Sequence, residues 1–404
     1  MATKGMPYLR RKLANKRPRV DLRYKYYDMK NLTKDLGIST PPALRAWNSS
    51  LGWCAKGVDC LADRLRFREF RNDNFGLNEI YSMNNKDVLY RSAIHGALLT
   101  SCDFIYISED ETGYPRLQVI DGSNATGEID PITGLLTEGY AVLQRDSNTK
   151  QPTVEAYFIP GCTYIYYAGV KRPKEFRNSA PYPLLVPIIY KPDEKRPFGR
   201  SRITRAGMSH VQGALRTIKR SEIAAEFYSF PQKYISGLAE DAQFDKWQAA
   251  MSFLIQITKD DDGDKPTVGQ FTTVSQTPHL DQLRMFASLF AGETGLTLDD
   301  MGFPQSNPSS EEAIKAAHEN LKLAANSAKD TFGTGFLNAG YLAACVRDDM
   351  PYQRDVFYET EPRWYPTFEV NASALSSIGD AIIKINQAVP GFMTEERIED
   401  LLGV

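Results

Sequence analysis

The sequence predicts an α+β fold, because a helix-patterned region is followed by a strand-patterned one. Over residues 42–70 apolar residues recur every three or four positions, which is the spacing of one buried helix face. A second helix is expected over residues 88–101. From there to about residue 190 the apolar period changes to two, as in a strand with one buried face. Residues 1–200 are therefore expected to form one α+β unit, with antiparallel strands after the helices.

Turn residues divide the strand-patterned region into hairpins. Residues 104–107 and 117–120 flank a Thr-Gly turn, and these two runs are expected to pair. Residues 140–143 and 154–159 flank a second polar turn and are expected to pair in the same way. Both pairings would be antiparallel, because a short turn reverses the direction of the chain.

Two long helices are expected around a short β-rich insert. The first begins at Ser201, a favourable N-cap residue, and runs to Phe230, before Pro231. At 1.5 Å per residue this helix would be roughly 40 Å long. The return helix begins at Thr277, with a proline at its favoured first position, and ends at the glycines of residues 292–295.

The insert and the C-terminal region complete the pattern. Residues 253–258 and 267–274 are expected to be strands around an acidic turn. Ser309 and Glu312 form a capping box for a third, alanine-rich helix. A short final helix is expected over residues 374–389.

Composition limits the classes of protein to which the chain can belong. Its 404 residues can bury one or two sizeable cores, and 42% hydrophobic and 24% charged residues are ordinary for a globular protein. The net charge of −2 lacks the basic excess of a dedicated nucleic-acid binder. Five scattered cysteines without metal or redox spacing favour reduced thiols inside a cell. Since no apolar run approaches the roughly 18 residues of a membrane span, no membrane partner is expected.

Charge is nevertheless concentrated at the N-terminus. Ten lysines and arginines between Lys4 and Lys30 oppose only Asp21 and Asp28, and four tyrosines are interleaved. One interpretation is an arm that contacts nucleic-acid phosphates and bases. The other is a solvated arm that docks on an acidic neighbouring subunit, which is the more usual role of a basic run.

No motif indicates catalysis, a metal or a cofactor. A calcium loop with Gly263 at its sixth position would have Gly269 at the twelfth, where a bidentate glutamate is required. Neither a phosphate-binding P-loop nor a nucleophile elbow occurs in the sequence. The four histidines lack the paired spacing of metal ligands, and the carboxylate pairs at 299–300 and 311–312 stand where they favour a helix dipole. We therefore expect a protein that is not an enzyme.

A line of lysines remains open to two interpretations. Lys315, Lys322 and Lys329 are seven residues apart, opposite the apolar face of the third helix. They could form an ordinary solvated stripe, partnered by Glu319 and Asp330. They could also present a line of cations to a polyanion that passes alongside.

The order of several local strings resembles the portal proteins of tailed double-stranded DNA bacteriophages, of the long-tailed type with a head–tail connector. The resemblance covers most of the chain, and the order of the strings is more specific than any one of them. The strings are LGWC at 51–54 with LADRL at 61–65, PFGRSRI at 197–203, EFYSFPQKY at 226–234, VGQF at 268–271, and ETGL at 293–296 followed by NPSSEEAI at 307–314.

The resemblance implies a portal fold with an α/β wing, a two-helix stem, a small α/β clip, a tunnel loop with a long helix, and a short helical crown. In this sequence those parts would be the wing at 1–200, the stem helices at 201–230 and 277–295, the clip at 231–276, the tunnel loop at 296–308, the long helix and wing return at 309–372, and the crown at 373–404.

The resemblance also implies roles for particular residues. The tunnel loop would project Leu298, Asp299, Asp300, Met301, Gly302 and Phe303 into a channel. The clip would present Asp260, Asp261, Asp262 and Asp264 to a docking partner, and Lys315, Lys322 and Lys329 would be DNA-facing.

Portal proteins form twelve-subunit rings at one capsid vertex, and DNA enters and leaves the capsid through the ring. The implied partners are double-stranded DNA, the terminase packaging motor, a head–tail adaptor protein and the major capsid protein, with scaffolding protein as a further candidate. The implied location is the neck of the virion, after synthesis in the host bacterial cytoplasm. Two alternatives stay open: a head–tail adaptor or other capsid structural protein, and a nucleic-acid-packaging enzyme.

Overall fold

A computed structural model describes residues 3–34, 46–229, 233–236, 267–270, 275–304, 316–368, 372–395 and 397–398. The chain separates into two units. Unit 1 contains residues 1–31, 51–209 and 289–404, and unit 2 contains residues 32–50 and 210–288. Helices and antiparallel sheets occur together in the described part, so the predicted α+β class is confirmed.

The basic N-terminal region is a helix, α1 (Met6–Tyr27), and not an unstructured arm. A proline occupies its first turn, where the missing N–H costs no hydrogen bond. Leu9, Leu13 and Val20 are buried, and the first two pack against Tyr140 and Val142. The apolar pattern of the sequence did not predict this helix, because cations outnumber the few apolar residues that it buries.

The single helix predicted over residues 42–70 is wrong. The structure has α2 (Trp53–Ala62), after which the chain turns into strand β1 (Phe67–Arg71). This strand pairs antiparallel with β12 (Glu361–Trp364), almost 300 residues further along the chain. A distant pairing partner therefore overrides the local helical spacing, as tertiary context often does. Helix α3 (Leu77–Ser82) follows, and α4 (Lys86–Thr100) confirms the helix predicted at 88–101.

The strand-patterned region forms two antiparallel sheets, and both predicted hairpins are confirmed. The strands are β2 (Cys102–Glu109), β3 (Pro115–Ile120), β4 (Ala125–Ile129), β5 (Leu136–Arg145), β6 (Pro152–Ile159), β7 (Cys162–Tyr167), β8 (Lys174–Arg177) and β9 (Leu185–Ile189). One sheet has the order β3-β2-β9 and the other the order β4-β5-β6-β7-β8. Phe104 pairs with Ile120 in the first hairpin, and Tyr140 pairs with Tyr157 in the second.

The first long helix, α5 (Arg205–Ser229), begins four residues later than predicted. Ser201 is not its cap, because this residue is buried and its hydroxyl donates to the Leu99 carbonyl at 2.6 Å. Thr204 serves instead, since its Oγ1 accepts the backbone N–H of Gly207 at 3.0 Å.

A two-stranded hairpin and a return helix follow. Strand β10 (Lys233–Ser236) pairs antiparallel with β11 (Thr267–Gln270). The strand predicted at 253–258 lies outside the described residues. The return helix α6 (Thr277–Thr294) confirms the predicted start at Thr277.

The third helix, α7 (Glu319–Arg347), continues far beyond the stripe seen in the sequence. From residue 332 to residue 346 every residue except Thr334 is buried. Glycines allow this close packing: a Cβ on Gly335 would lie 2.8 Å from Ile188 of β9, and one on Gly333 would lie 2.7 Å from Pro362 of β12. The capping box at 309–312 lies outside the described residues. Helix α8 (Ala372–Ala388) confirms the final predicted helix.

Candidate functional site

The strongest candidate for a functional framework is the antiparallel pair of helices α5 and α6. In unit 2, a Cβ on Gly213 would lie only 2.4 Å from the Phe286 ring. One turn further along α5, the Thr217 hydroxyl donates to Gln282 Oε1 at 3.0 Å. After another turn, the Ser221 hydroxyl donates to Gln276 Oε1 at 3.2 Å. Two successive steps of four residues along α5 therefore meet positions that lie first four and then six residues earlier on the partner, so the two helices run antiparallel.

The string PFGRSRI anchors the chain just before α5 begins. Arg202 is buried within unit 1, and its Nε donates to the Gly57 carbonyl at 3.0 Å. Its Nη2 donates to the carbonyl of Thr294, the last residue of α6. Because a helix leaves its last carbonyls unsatisfied, this buried guanidinium caps α6 and ties it to α2.

The string LGWC contacts α6 in the same place, three residues before the string ETGL begins. Trp53 and Phe290 lie with ring centroids 5.9 Å apart, and a Cβ on Gly57 would lie 3.3 Å from the Phe290 ring. Unit 1 thus brings together residues of α2, α6 and the segment before α5, which are far apart in sequence. Sequence reasoning found the strings but missed Arg202 as their common link.

The predicted tunnel-loop residues divide into buried and exposed positions. Met301 is 7% exposed, and Leu298 and Phe303 are half-buried. By contrast, Asp299 and Gly302 are exposed, with Gly302 at a positive φ of 87° that favours glycine. The six residues therefore do not form one uniform surface.

Asp300 is part of the local fold of this loop. Its Oδ2 accepts the Thr297 backbone N–H and hydroxyl, both at 2.9 Å, and lies 3.4 Å from His318 Nε2. Burial acts to raise the pKa of Asp300, but the bonds from Thr297 and the charge of His318 outweigh burial and lower that pKa. This carboxylate shapes the turn and has little freedom to contact another molecule.

The predicted lysine line has two members in the described residues, and their surroundings differ. Lys322 is exposed and lies 3.7 Å from Glu319. Lys329 is half-buried and donates to the Tyr365 carbonyl at 2.9 Å and to Thr367 Oγ1 at 2.8 Å. Burial lowers the pKa of Lys329 to about 8. Lys315 lies outside the described residues, so a DNA-facing role for the line stays a prediction.

The predicted clip residues Asp260, Asp261, Asp262 and Asp264 also lie outside the described residues. In the part of the chain that the structure describes, no three His, Cys, Asp or Glu side chains come close enough to hold a metal ion. All five cysteines are free. Among the described helices, none combines the length and the apolar character that a membrane crossing needs.

Comparison with known proteins tests the resemblance. No family model matches the sequence. The portal protein of Mycobacterium phage L5 is 23% identical over 404 residues, which is 93% of this chain and 82% of that protein. The portal protein of Mycobacterium phage D29 is 23% identical over 406 residues, with the same coverage.

Among solved structures, the neck of a native gene transfer agent (GTA) particle computed with C12 symmetry has a TM-score of 0.49 at 12% identity. The match covers 94% of this chain and 97% of the chain in that structure. The virion of the native gene transfer agent has a TM-score of 0.46 at 12% identity, and covers 95% and 99%. The two mycobacteriophage relatives, matched over nearly the whole chain, confirm the predicted resemblance to bacteriophage portal proteins.

Proposed function

We propose that this chain is the subunit of a phage portal, a ring at one capsid vertex through which double-stranded DNA is packaged and ejected. The single observation that carries the proposal is the match to two curated portal proteins over 93% of the chain. Its placement in the virion neck follows from the same likeness.

The helical hairpin of α5 and α6 supports a role as channel wall. Twelve copies related by a closed head-to-tail contact form a cyclic ring, and such symmetry turns one helix pair into a tube. The close approach at Gly213 and the hydrogen bonds of Thr217 and Ser221 stiffen the pair. A stiff hairpin holds the bore of such a tube constant while DNA moves through it.

Exposed apolar side chains on α6 are a further argument for contact with a neighbouring subunit. Leu280 is 57% exposed and Met285 is 48% exposed within unit 2. A ring neighbour that covers them removes apolar area from water, which is favourable by about 25 cal/mol per Å².

The charge of the whole chain fits a channel along which DNA slides. At a net charge of −2 per chain, the ring as a whole does not attract DNA, whereas strong phosphate contacts would hold the duplex in place through counterion release. We propose that the exposed residues of the tunnel loop, Asp299 and Gly302, are the ones that face the channel.

We assign docking of the packaging motor and the head–tail adaptor to the clip, through Asp260, Asp261, Asp262 and Asp264. The wing would meet the major capsid protein and, during assembly, scaffolding protein. In this role the chain acts without catalysis. A head–tail adaptor or a packaging enzyme is less well supported, because both curated relatives carry the name portal protein.

Electron microscopy of the purified chain tests the proposal. Twelve copies of a 45.4 kDa chain would form a ring of about 0.5 MDa with a central channel. Native mass spectrometry gives the copy number, and an ATPase assay serves as a control. A monomer, or a chain that hydrolyses ATP, would contradict the proposal.

A further inference from the structure

Unit 1 contains a basic groove that none of the roles proposed above explains. It lies between α1 and residues 196–208 and encloses about 1130 Å³. Eight cationic side chains line it, against the single carboxylate of Glu293. The cations are Arg11, Lys12, Lys16, Arg19, Arg23, Arg196, Arg200 and Arg205.

Contacts within the fold occupy some of these cations. Lys12 lies 2.6 Å from a Glu128 oxygen, and Arg200 forms an ion pair with Asp193. Arg23 donates to the Thr100 carbonyl at 2.6 Å. These side chains shape the walls of the groove.

Other cations in the groove are not neutralised. Arg11, Arg19 and Arg205 are exposed, and among the described residues none of the three forms an ion pair. Three unpaired guanidiniums around one groove repel each other until an anion arrives, and each presents a fork that matches a carboxylate or a phosphate.

Lys16 adds a cation inside the groove. Its Nζ is buried and makes no hydrogen bond within the described part of the chain. Its Nζ lies 5.3 Å from the centroid of the Phe104 ring. Burial lowers the pKa of Lys16, although the nearby charges of Asp103 and Asp121 act in the opposite direction.

The distribution of charge along the chain favours a carboxylate surface over DNA as the occupant. The first thirty residues hold ten of the 48 lysines and arginines and two of the 50 aspartates and glutamates. The other 374 residues therefore hold 38 cations and 48 acids, a net charge of −10. Outside its own first thirty residues, a second copy of the chain therefore carries an excess of carboxylates that could meet the groove. A DNA-binding groove of this charge would hold phosphates through counterion release, against the sliding that a conduit requires.

We propose that this groove receives a carboxylate-bearing surface of a second copy of the chain, the next subunit of the ring. The inference rests on the proposed function, since a closed head-to-tail ring brings one patch of each subunit against a different patch of its neighbour. The groove on α1 is then the basic half of that contact.

Charge reversal tests the inference. The variant Arg11→Glu, Arg19→Glu, Arg205→Glu changes three unpaired cations of the groove. The matched control, Lys150→Glu, Lys171→Glu, Arg172→Glu, reverses three exposed cations outside it. In about 0.05 M NaCl the groove variant should need a subunit concentration at least about tenfold higher than that of the unaltered chain for half-assembly into rings. In about 0.5 M NaCl, where salt screens the charges, this difference in concentration should be much smaller. The control should assemble like the unaltered chain in both.

Photo-cross-linking identifies what occupies the groove. A benzoylphenylalanine at position 19 should give covalent dimers in assembled rings, joined to a peptide that contains Asp or Glu. The same reaction is run with a short DNA duplex present. A cross-link to DNA in place of the neighbouring chain would overturn this inference, and so would a groove variant that assembles into rings like the unaltered chain. Either result would leave the proposed function intact. An unaltered chain that forms no ring would remove both.

Discussion

In unit 1, residues 332–346 of α7 are buried on almost every side by the sheets around them. In unit 2, the α5–α6 pair buries one face and leaves Leu280 and Met285 exposed. A helix that is covered all round is stabilised by its own chain, whereas a helix with an uncovered apolar face depends on a partner. The difference shows that the chain itself covers this part of α7, whereas the described residues leave apolar side chains of the helix pair in unit 2 uncovered.

Glycines mark the tightest contacts in both units, and replacing them separates the two kinds of packing. The largest effect is expected at Gly96 of α4, where a Cβ would lie 1.7 Å from Asp103 Oδ2. Gly96→Ala should lower the free energy of unfolding of unit 1 by about 3 kcal/mol or more, because a buried carboxyl must move away from its hydrogen bonds. Chemical denaturation measures this loss.

The matched control is Gly379→Ala in α8, where a Cβ would meet no atom within 4 Å. That change should leave the stability unchanged or raise it slightly. Equal stability of the two variants would contradict the close approach of α4 to β2.

The second prediction concerns pH and the same buried carboxyl. Asp103 is 2% exposed, and burial, with the nearby charge of Asp121, raises its pKa to about 8, despite hydrogen bonds from Thr100 and Gly122 and the charge of Lys16. The folded chain thus holds this proton more tightly than the unfolded chain, so the contribution is fully present below about pH 4 and is lost as the pH rises to about 8. The free energy of unfolding should fall across this window by up to about 1.4 kcal/mol per pH unit.

Asp103→Asn isolates this effect, because asparagine has the same shape and still accepts both hydrogen bonds at Oδ1. The difference in unfolding free energy between the variant and the unaltered chain should grow steadily from about pH 4 to about pH 8. Denaturant titrations at several pH values give this difference. A constant difference would show that Asp103 does not titrate in this range.

A smaller effect is expected in unit 2 from Gly213→Leu. The new side chain would collide with the Phe286 ring, so the helices of the hairpin must separate, at about 1–3 kcal/mol. Hydrogen exchange should speed up in α5 and α6 while β2 and β9 of unit 1 stay protected. Gly292→Leu, at a glycine of α6 with open space around it, is the control. Equal exchange in the two variants would argue against the close helix contact.

The smallest effect is expected from Thr217→Val. This change removes the hydroxyl that donates to Gln282 Oε1 while keeping the volume of the side chain, so it should cost about 0.5–1.5 kcal/mol. Because Gln282 is exposed, water can replace the lost donor and the lower end of that range is expected. Thermal unfolding of the variant, compared with Ser288→Ala at an exposed hydroxyl of α6, measures the loss. A loss as large as that of Gly96→Ala would contradict the comparison between the units.

Local signals in the sequence predicted much of the fold. The period-two pattern predicted both hairpins, and Thr277 with its following proline predicted the start of α6. The predictions failed where a distant segment decides the structure. Residues 67–71 have helical spacing but pair with β12, and Ser201 has the chemistry of a cap but donates to the Leu99 carbonyl.

The candidate sites divide in the same way. The ordered strings were enough to predict the portal resemblance, because which strings occur, and in what order, is a property of the sequence alone. Nothing local indicated that Lys329 donates to Tyr365 and Thr367, or that Asp300 closes the turn at Thr297. The described structure placed these groups in contacts that spacing along one helix could not reveal.

By itself the sequence determined the α+β class, the helical hairpin and the concentration of positive charge in the first thirty residues. Only the tertiary structure decided that this charged segment is a folded helix, and that five of its cations line one groove with three more from residues 196–205. The physical reason is that periodicity and charge are properties of neighbouring residues. A groove, by contrast, depends on which distant residues the burial of Leu9, Leu13 and Val20 brings together.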